Sequence, residues 1–159
     1  MAKPTLGNAA DKLKILDRLG KIHLSSQRRW GRMTAHQAIV HLADSFRVTI
    51  GEKPASQARI RVTPIPLPRG FVKWVAMDLP LPWPRGVRTR PEVDQEKGGT
   101  RPQTFEADLK ELQRLVERFT RQPRDFEYQP HPMFGVMSEA EWQRWGYLHM
   151  DHHLRQFGE

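Results

Sequence analysis

S-E-A-E-W-Q-R-W-G-Y-L-H-M-D-H-H-L-R-Q-F-G-E, residues Ser138 to Glu159, is the stretch from which the rest of the chain can be read. Ser138 with Glu141 three positions on forms a capping box. The hydroxyl accepts a bond from a free N–H of the first turn while the carboxylate reaches back to the Ser138 amide. A helix therefore starts here. Along it Trp142, Trp145, His149, His152, His153 and Gln156 recur at spacings of three and four, so one stripe carries indole rings first and imidazoles further on. His149 and His153 stand four apart, roughly 6 Å between Cβ atoms with side chains leaning the same way, which lets both rings converge on one cation. His152 points about 100° away from His153 on the helical wheel and does not share that direction. The pair continues the tryptophan stripe rather than the polar face of Arg144, Asp151 and Arg155. It is expected to point inward, where an imidazole needs a partner.

A second histidine-bearing helix lies upstream. Thr34 caps T-A-H-Q-A-I-V-H-L-A-D-S-F-R-V-T-I-G and Gly51 closes it, giving a helix over 35–50 whose inward stripe is Ala38, His41, Leu42, Ser45 and Val48. His41 sits in mid-helix among small and apolar neighbours; His36, in the first turn, is expected at the surface. An earlier helix runs from about Ala10 to His23 on Leu13, Leu16 and Leu19, after a loose tail over residues 1–9. Another opens at Thr100 or Thr104 and carries Phe105, Leu109, Leu112, Val116 and Phe119 until Pro123 stops it. Between helices two and three, residues 52–99 are punctuated by prolines from Pro54 to Pro91, each removing a donor and restricting the residue before it. Only Gly70 to Asp78 is expected to form a short helix or strand there. So long a connection is usually functional or a return path of bundle length, and Phe71, Trp74 and Trp83 point to an ordered lid. The expected fold is all-α: a four-helix bundle, one domain over 1–159, with one long proline-rich crossover between helices 2 and 3.

Composition narrows the chemistry. In 159 residues there is no cysteine, which excludes disulfides, Cys-zinc sites, iron–sulfur clusters and cysteine nucleophiles. A metal site must use His, carboxylate or water. No apolar run approaches membrane-spanning length and the first residues lack a secretion-signal pattern, so a cytoplasmic protein with no membrane partner is the expectation. The formal charge of +8 suits anionic partners. Its sources, Arg28/Arg29/Arg32, Arg59/Arg61, Arg85/Arg88/Arg90 and Arg121/Arg124, are scattered and form no reading motif, which favours a solvated basic surface over a nucleic-acid site.

Bundles build metal sites from side chains on facing helices. His41 with His149 and His153 makes a three-histidine face, and three neutral imidazoles leave one or more positions open on a divalent cation, as a reactive site requires. Zinc is the default; nickel, iron and manganese also accept imidazole.

The H-L-A-D-S-F-R segment around His41 and the C-terminal H-x-x-H-H-L-R-Q-F-G resemble the DinB-like superfamily of metal-binding four-helix bundles. With W-G-R-M-T-A-H-Q, P-L-P-W-P-R-G-V, D-Q-E-K-G-G-T and H-P-M-F-G-V-M-S-x-x-E-W, nearly the whole chain is similar to an uncharacterised bacterial branch of it. The resemblance implies that His41, His149 and His153 hold the metal. It also implies a hydrolase or a low-molecular-weight thiol transferase among the activities. H-H-R-G-Q of characterised relatives reads H-H-L-R-Q here, so no substrate role carries over to Arg155 or Gln156.

The leading expectation is an enzyme in which the cation activates a water or a thiol as nucleophile, acting on a small-molecule substrate, with thiols carrying carboxylates among the candidates. Candidates for the general base are Asp44, one turn from His41, with His152 and His131; a hydrogen-bonding role beside the ligands is the plainer reading of Asp44 and His152. His131, in H-P-M-F-G, is expected near the N-terminus of the last helix, about 16 Å from His149 at 1.5 Å per residue. The competing classes are a non-catalytic metal-binding or stress-related protein, and a homodimer or larger homo-oligomer with Trp74 and Trp83 in its interface.

Overall fold

Helix starts fall where the side-chain caps place them. Asn8 accepts from the Asp11 amide at the head of α1 (Ala9–Leu19). Thr34 with Gln37 closes a full capping box on α2 (Ala35–Thr49). Thr104 accepts from Ala107 ahead of α4 (Phe105–Thr120), and Ser138 with Glu141 boxes α5 (Glu139–Gln156). Each satisfies donors that the first turn would leave without partners. Gly51, with φ of 81°, takes the left-handed position just past α2. The computed structural model describes residues 3–55 and 67–159; Arg59, Arg61, Pro64 and Pro66 of the sequence reading lie outside them.

Among the described residues the helices number five, not four. The additional one is α3 (Arg69–Asp78), in the segment expected as a short helix or strand. Pro68 and Pro80 bracket a proline-free window, and a proline is tolerated at a helix start because its missing N–H has no intrahelical use there. The far end is closed from outside: the Trp83 indole donates to the Ala76 carbonyl at 2.8 Å and Arg144 Nε to the Met77 carbonyl at 3.2 Å. A 3₁₀ turn, Pro91–Val93, follows further on. No strand forms among the described residues, only an isolated bridge between His131 and Gly135. No described helix is long and apolar enough to cross a membrane.

Packing follows the apolar stripes on α4 and α5; on α1 Ile15 and Leu19 are buried while Leu13, expected in the stripe, is exposed. α2 lies along α4 and α1 along α5, while α2 and α3 both meet α5 and the Pro91–Val93 turn rests on α2. One core cluster gathers Ile15 and Leu19 of α1, Ile39, Leu42 and Phe46 of α2, Leu112, Leu115 and Phe119 of α4, and Trp142, Trp145 and Leu154 of α5. Phe46 sits edge-on to Phe119 at 4.9 Å and to Trp145 at 5.9 Å, contacts worth about 0.5–1.5 kcal/mol each beyond burial. The segment expected as a loose tail is anchored: Leu6 is 1% exposed and its amide donates to the Gln143 carbonyl.

α2 is buried nearly all round, from Ala38 to Phe46, rather than along one stripe. Its polar groups are satisfied in place. Ser45 and Thr49 donate to the carbonyls of His41 and Ser45 one turn back. His36, expected at the surface, is partly buried and bonds Asp108 Oδ2 of α4 at 2.7 Å.

Candidate metal centre

His41 enters the site from mid-α2 and His149 and His153 from successive turns of α5. Their ring centroids lie 4.7–5.2 Å apart and one nitrogen of each falls within 4.8 Å of the others. The tautomers of two rings follow from their neighbours. His41 Nδ1 is 2.8 Å from the Val93 carbonyl, which can only accept, so Nδ1 carries the proton and Nε2 keeps its lone pair. Gln156 donates its amide to the Trp30 carbonyl at 2.9 Å, which turns its oxygen to His153 Nδ1 at 2.9 Å; His153 Nε2 is then also an acceptor. His149 is placed by rings instead, with Trp145 at 5.0 Å and Trp83 at 5.9 Å. Its Nε2 lies 3.2 Å from His41 Nε2. Two nitrogens about 2.05 Å from one tetrahedral ion are about 3.3 Å apart, so this spacing suits a shared cation.

Electrostatics keep the three rings neutral, as ligands must be. Burial is the first cause throughout. It lowers the His41 pKa against the raising effect of the Val93 carbonyl, Asp44 and Asp94. It takes His149 well below the ordinary value with help from His153 and His41, and His153 likewise with help from His41 and His152.

The three acid–base candidates fare differently. Asp44 is fully buried and accepts from Arg47, Lys53 and both the amide and hydroxyl of Thr100, at 2.7–3.0 Å. Burial pushes its carboxyl up, but the Lys53 ammonium and the Thr100 donors outweigh this and hold it below the usual range. Asp44 thus ties α2 to the loop before α4 and lies outside the lining of the cavity over the histidines. His131 does line that cavity, although the chain places it before α5. Its Nδ1 accepts from the amides of Met133 and Phe134, and its ring stacks on Phe134 at 4.3 Å. Burial, with Arg90 nearby, lowers its pKa to about 3. His152 faces the same cavity between Trp30 and Trp83, makes no hydrogen bond among the described residues and has its pKa lowered by burial.

The match to a family model covers residues 4–159. The chain belongs to the DUF1569 family. Its description reads "protein of unknown function", so the activity of this DUF1569 member has to be argued from its own site. No curated protein and no solved structure matches the chain.

Several groups at this DUF1569 centre escaped the sequence reading. The Val93 carbonyl orients His41 across 52 positions of chain, and a backbone oxygen leaves no trace in residue type. Trp83, expected in an ordered lid or in an interface, lays its ring beside His149 and His152, a contact that its residue type alone does not name. Gln156 did carry a signal, since it follows His153 at the i+3 spacing that puts side chains in contact.

Proposed function

We propose that this protein binds a divalent cation through His41, His149 and His153 and uses it in catalysis on a small-molecule substrate. The observation that carries the reading is the pair of committed Nδ1 protons. The Val93 carbonyl and the Gln156 oxygen each accept a hydrogen bond from one, which leaves Nε2 of His41 and of His153 with its lone pair free, in a cluster where one nitrogen of each ring lies within 4.8 Å of the others. Three neutral nitrogen ligands without a carboxylate suit zinc first, with nickel, iron and manganese as alternatives. The histidine arrangement and the helical packing are what a DinB-like four-helix bundle with an inserted fifth helix would have.

When bound, such an ion supplies Lewis acidity, lowering the pKa of a water or thiol at its open position, the chemistry of a hydrolase or a thiol transferase. The protein's own groups do the rest. Trp83 and Trp145 lay apolar rings beside His149 at 5.9 and 5.0 Å, which lowers the local polarity around the ligands. Of the three acid–base candidates, Asp44 is engaged by four donors and His131 holds two backbone amides, which leaves His152 to take up a proton.

Elemental analysis and thermal shift on protein without a histidine tag test the reading. Zinc at about a hundred times its dissociation constant is expected to raise the melting temperature by about 5–10 °C, and His149→Ala to abolish both the shift and the metal content. Neither zinc nor nickel shifting the transition would remove the proposed chemistry. Metal uptake by a protein that, zinc-loaded, neither hydrolyses esters nor transfers thiols to electrophiles would favour the non-catalytic class.

A further inference from the structure

The cavity floored by the three imidazoles holds about 880 Å³, room for a drug-sized molecule. Its wall is largely hydrocarbon and aromatic, with Phe71, Val75, Trp83, Met133, Phe134 and Trp145 as its main surfaces. Most of its neutral polar side chains are already engaged inside the protein. Ser45 and Thr49 donate to their own helix, and the Gln37 oxygen accepts from the Thr34 amide. The Trp83 indole is held by Ala76, and Gln156 spans Trp30 and His153. A ligand with many hydroxyls or amides would give up its bonds to water here and find few replacements.

The charges of the wall divide unevenly. Arg90 pairs with Glu92 at 2.5 Å and Lys97 with Asp94 at 3.2 Å. Arg32 and Arg88, both exposed and hence at the solvent end, have no carboxylate partner among the described residues; Glu96 is the single lining carboxylate without an ion pair there. The mouth of an apolar chamber thus carries an excess of positive charge, in a protein whose net charge is +8.

We propose that the cavity takes an amphipathic organic anion, its alkyl or aryl body in the chamber over the three imidazoles and its negative group at the mouth with Arg32 and Arg88. This names the substrate class of the site argued above and rests on the reading of that cavity as the functional one. The recognition itself uses no bound cation.

The test uses the full chain, free of tag and stripped of metal by chelator. Decanoate, decanol and decyltrimethylammonium are titrated below their micelle concentrations against the fluorescence of the tryptophans in the wall, Trp30, Trp83, Trp142 and Trp145. Decanoate is expected to saturate and to bind about tenfold more tightly than decanol, with the cation weakest. Arg32→Gln with Arg88→Gln, both surface changes, should bring decanoate to the level of decanol and leave decanol unmoved. Ala76→Trp, whose fold is checked by circular dichroism, should weaken all three by filling the chamber. Absence of saturable binding, equal affinity for the three probes, or a charge preference that survives the double substitution would each overturn the proposal. A protein that prefers decanoate yet never binds zinc overturns only the metal reading, and zinc uptake without the preference overturns only this one.

Discussion

At His153 the choice between two ring nitrogens is made by a residue three positions on. The Gln156 oxygen holds the Nδ1 proton and the Gln156 amide is anchored on Trp30, so the side chain cannot turn over without losing a bond. Gln156→Leu is expected to weaken zinc binding about 10–100-fold. Gln156→Glu, which keeps an acceptor at that point, should retain the wild-type affinity or exceed it. Competition against a chromophoric chelator measures both; a wild-type constant for the leucine variant would show that Gln156 has only a packing role. His131 permits a prediction on stability. Its pKa falls from 6.5 to about 3 on folding. Above pH 6.5 the ring is neutral in both states and its contribution is complete. Below that, the unfolded chain takes up a proton the folded one refuses, and stability falls by about 1.4 kcal/mol per pH unit until the folded value is reached. His131→Asn keeps an oxygen for the amides of Met133 and Phe134 and removes the titration. Between pH 7.5 and 5, urea unfolding of the metal-free wild type should lose about 2 kcal/mol more than that of the variant. Parallel pH profiles would contradict the burial argument.

Among the elements, the loop from Pro91 to Thr100 has the most to hold in register. Val93 orients His41, while Thr100, seven residues on, bonds Asp44 on the same helix. Between them the chain doubles back, with the amides of Gly98 and Gly99 donating to the carbonyls of Pro91 and Asp94. A Cβ on Gly99 would lie 2.7 Å from the Asp94 carbonyl group and 2.8 Å from the Gln95 nitrogen, all backbone with no rotamer to yield. Gly99→Ala is therefore expected to cost about 1–3 kcal/mol in denaturant unfolding and to weaken metal binding through His41. A variant as stable as wild type would mean that the loop does not fix that ring. The sequence reading took D-Q-E-K-G-G-T as a point of resemblance only. Nothing in its residue types says that its tight return serves a histidine 52 positions before Val93.

Across the whole molecule, legibility tracked the range of the interaction. Caps act within four residues, so Thr34 and Ser138 mark helix starts, Thr104 proves to be the cap where Thr100 or Thr104 was expected, and the i+4 spacing of His149 and His153 puts both on one face. α3 was ambiguous because nine residues of mixed apolar pattern fit either period, and its closing groups, Trp83 and Arg144, come from elsewhere. His36 read as exposed because first-turn residues usually are; Asp108 of α4, 72 positions on, makes the difference. Asp44 looked available as a base because its four donors arrive from Arg47, Lys53 and Thr100, and only folding shows that they converge.

The central claim is that imidazoles from α2 and α5 share one ion. A zinc K-edge X-ray absorption spectrum of zinc-loaded, tag-free protein addresses it without reference to any activity. The account predicts one zinc per chain with three imidazole nitrogens at about 2.0–2.1 Å, falling to two in His41→Ala. A shell of oxygens alone, or a spectrum unchanged by that substitution, would contradict it.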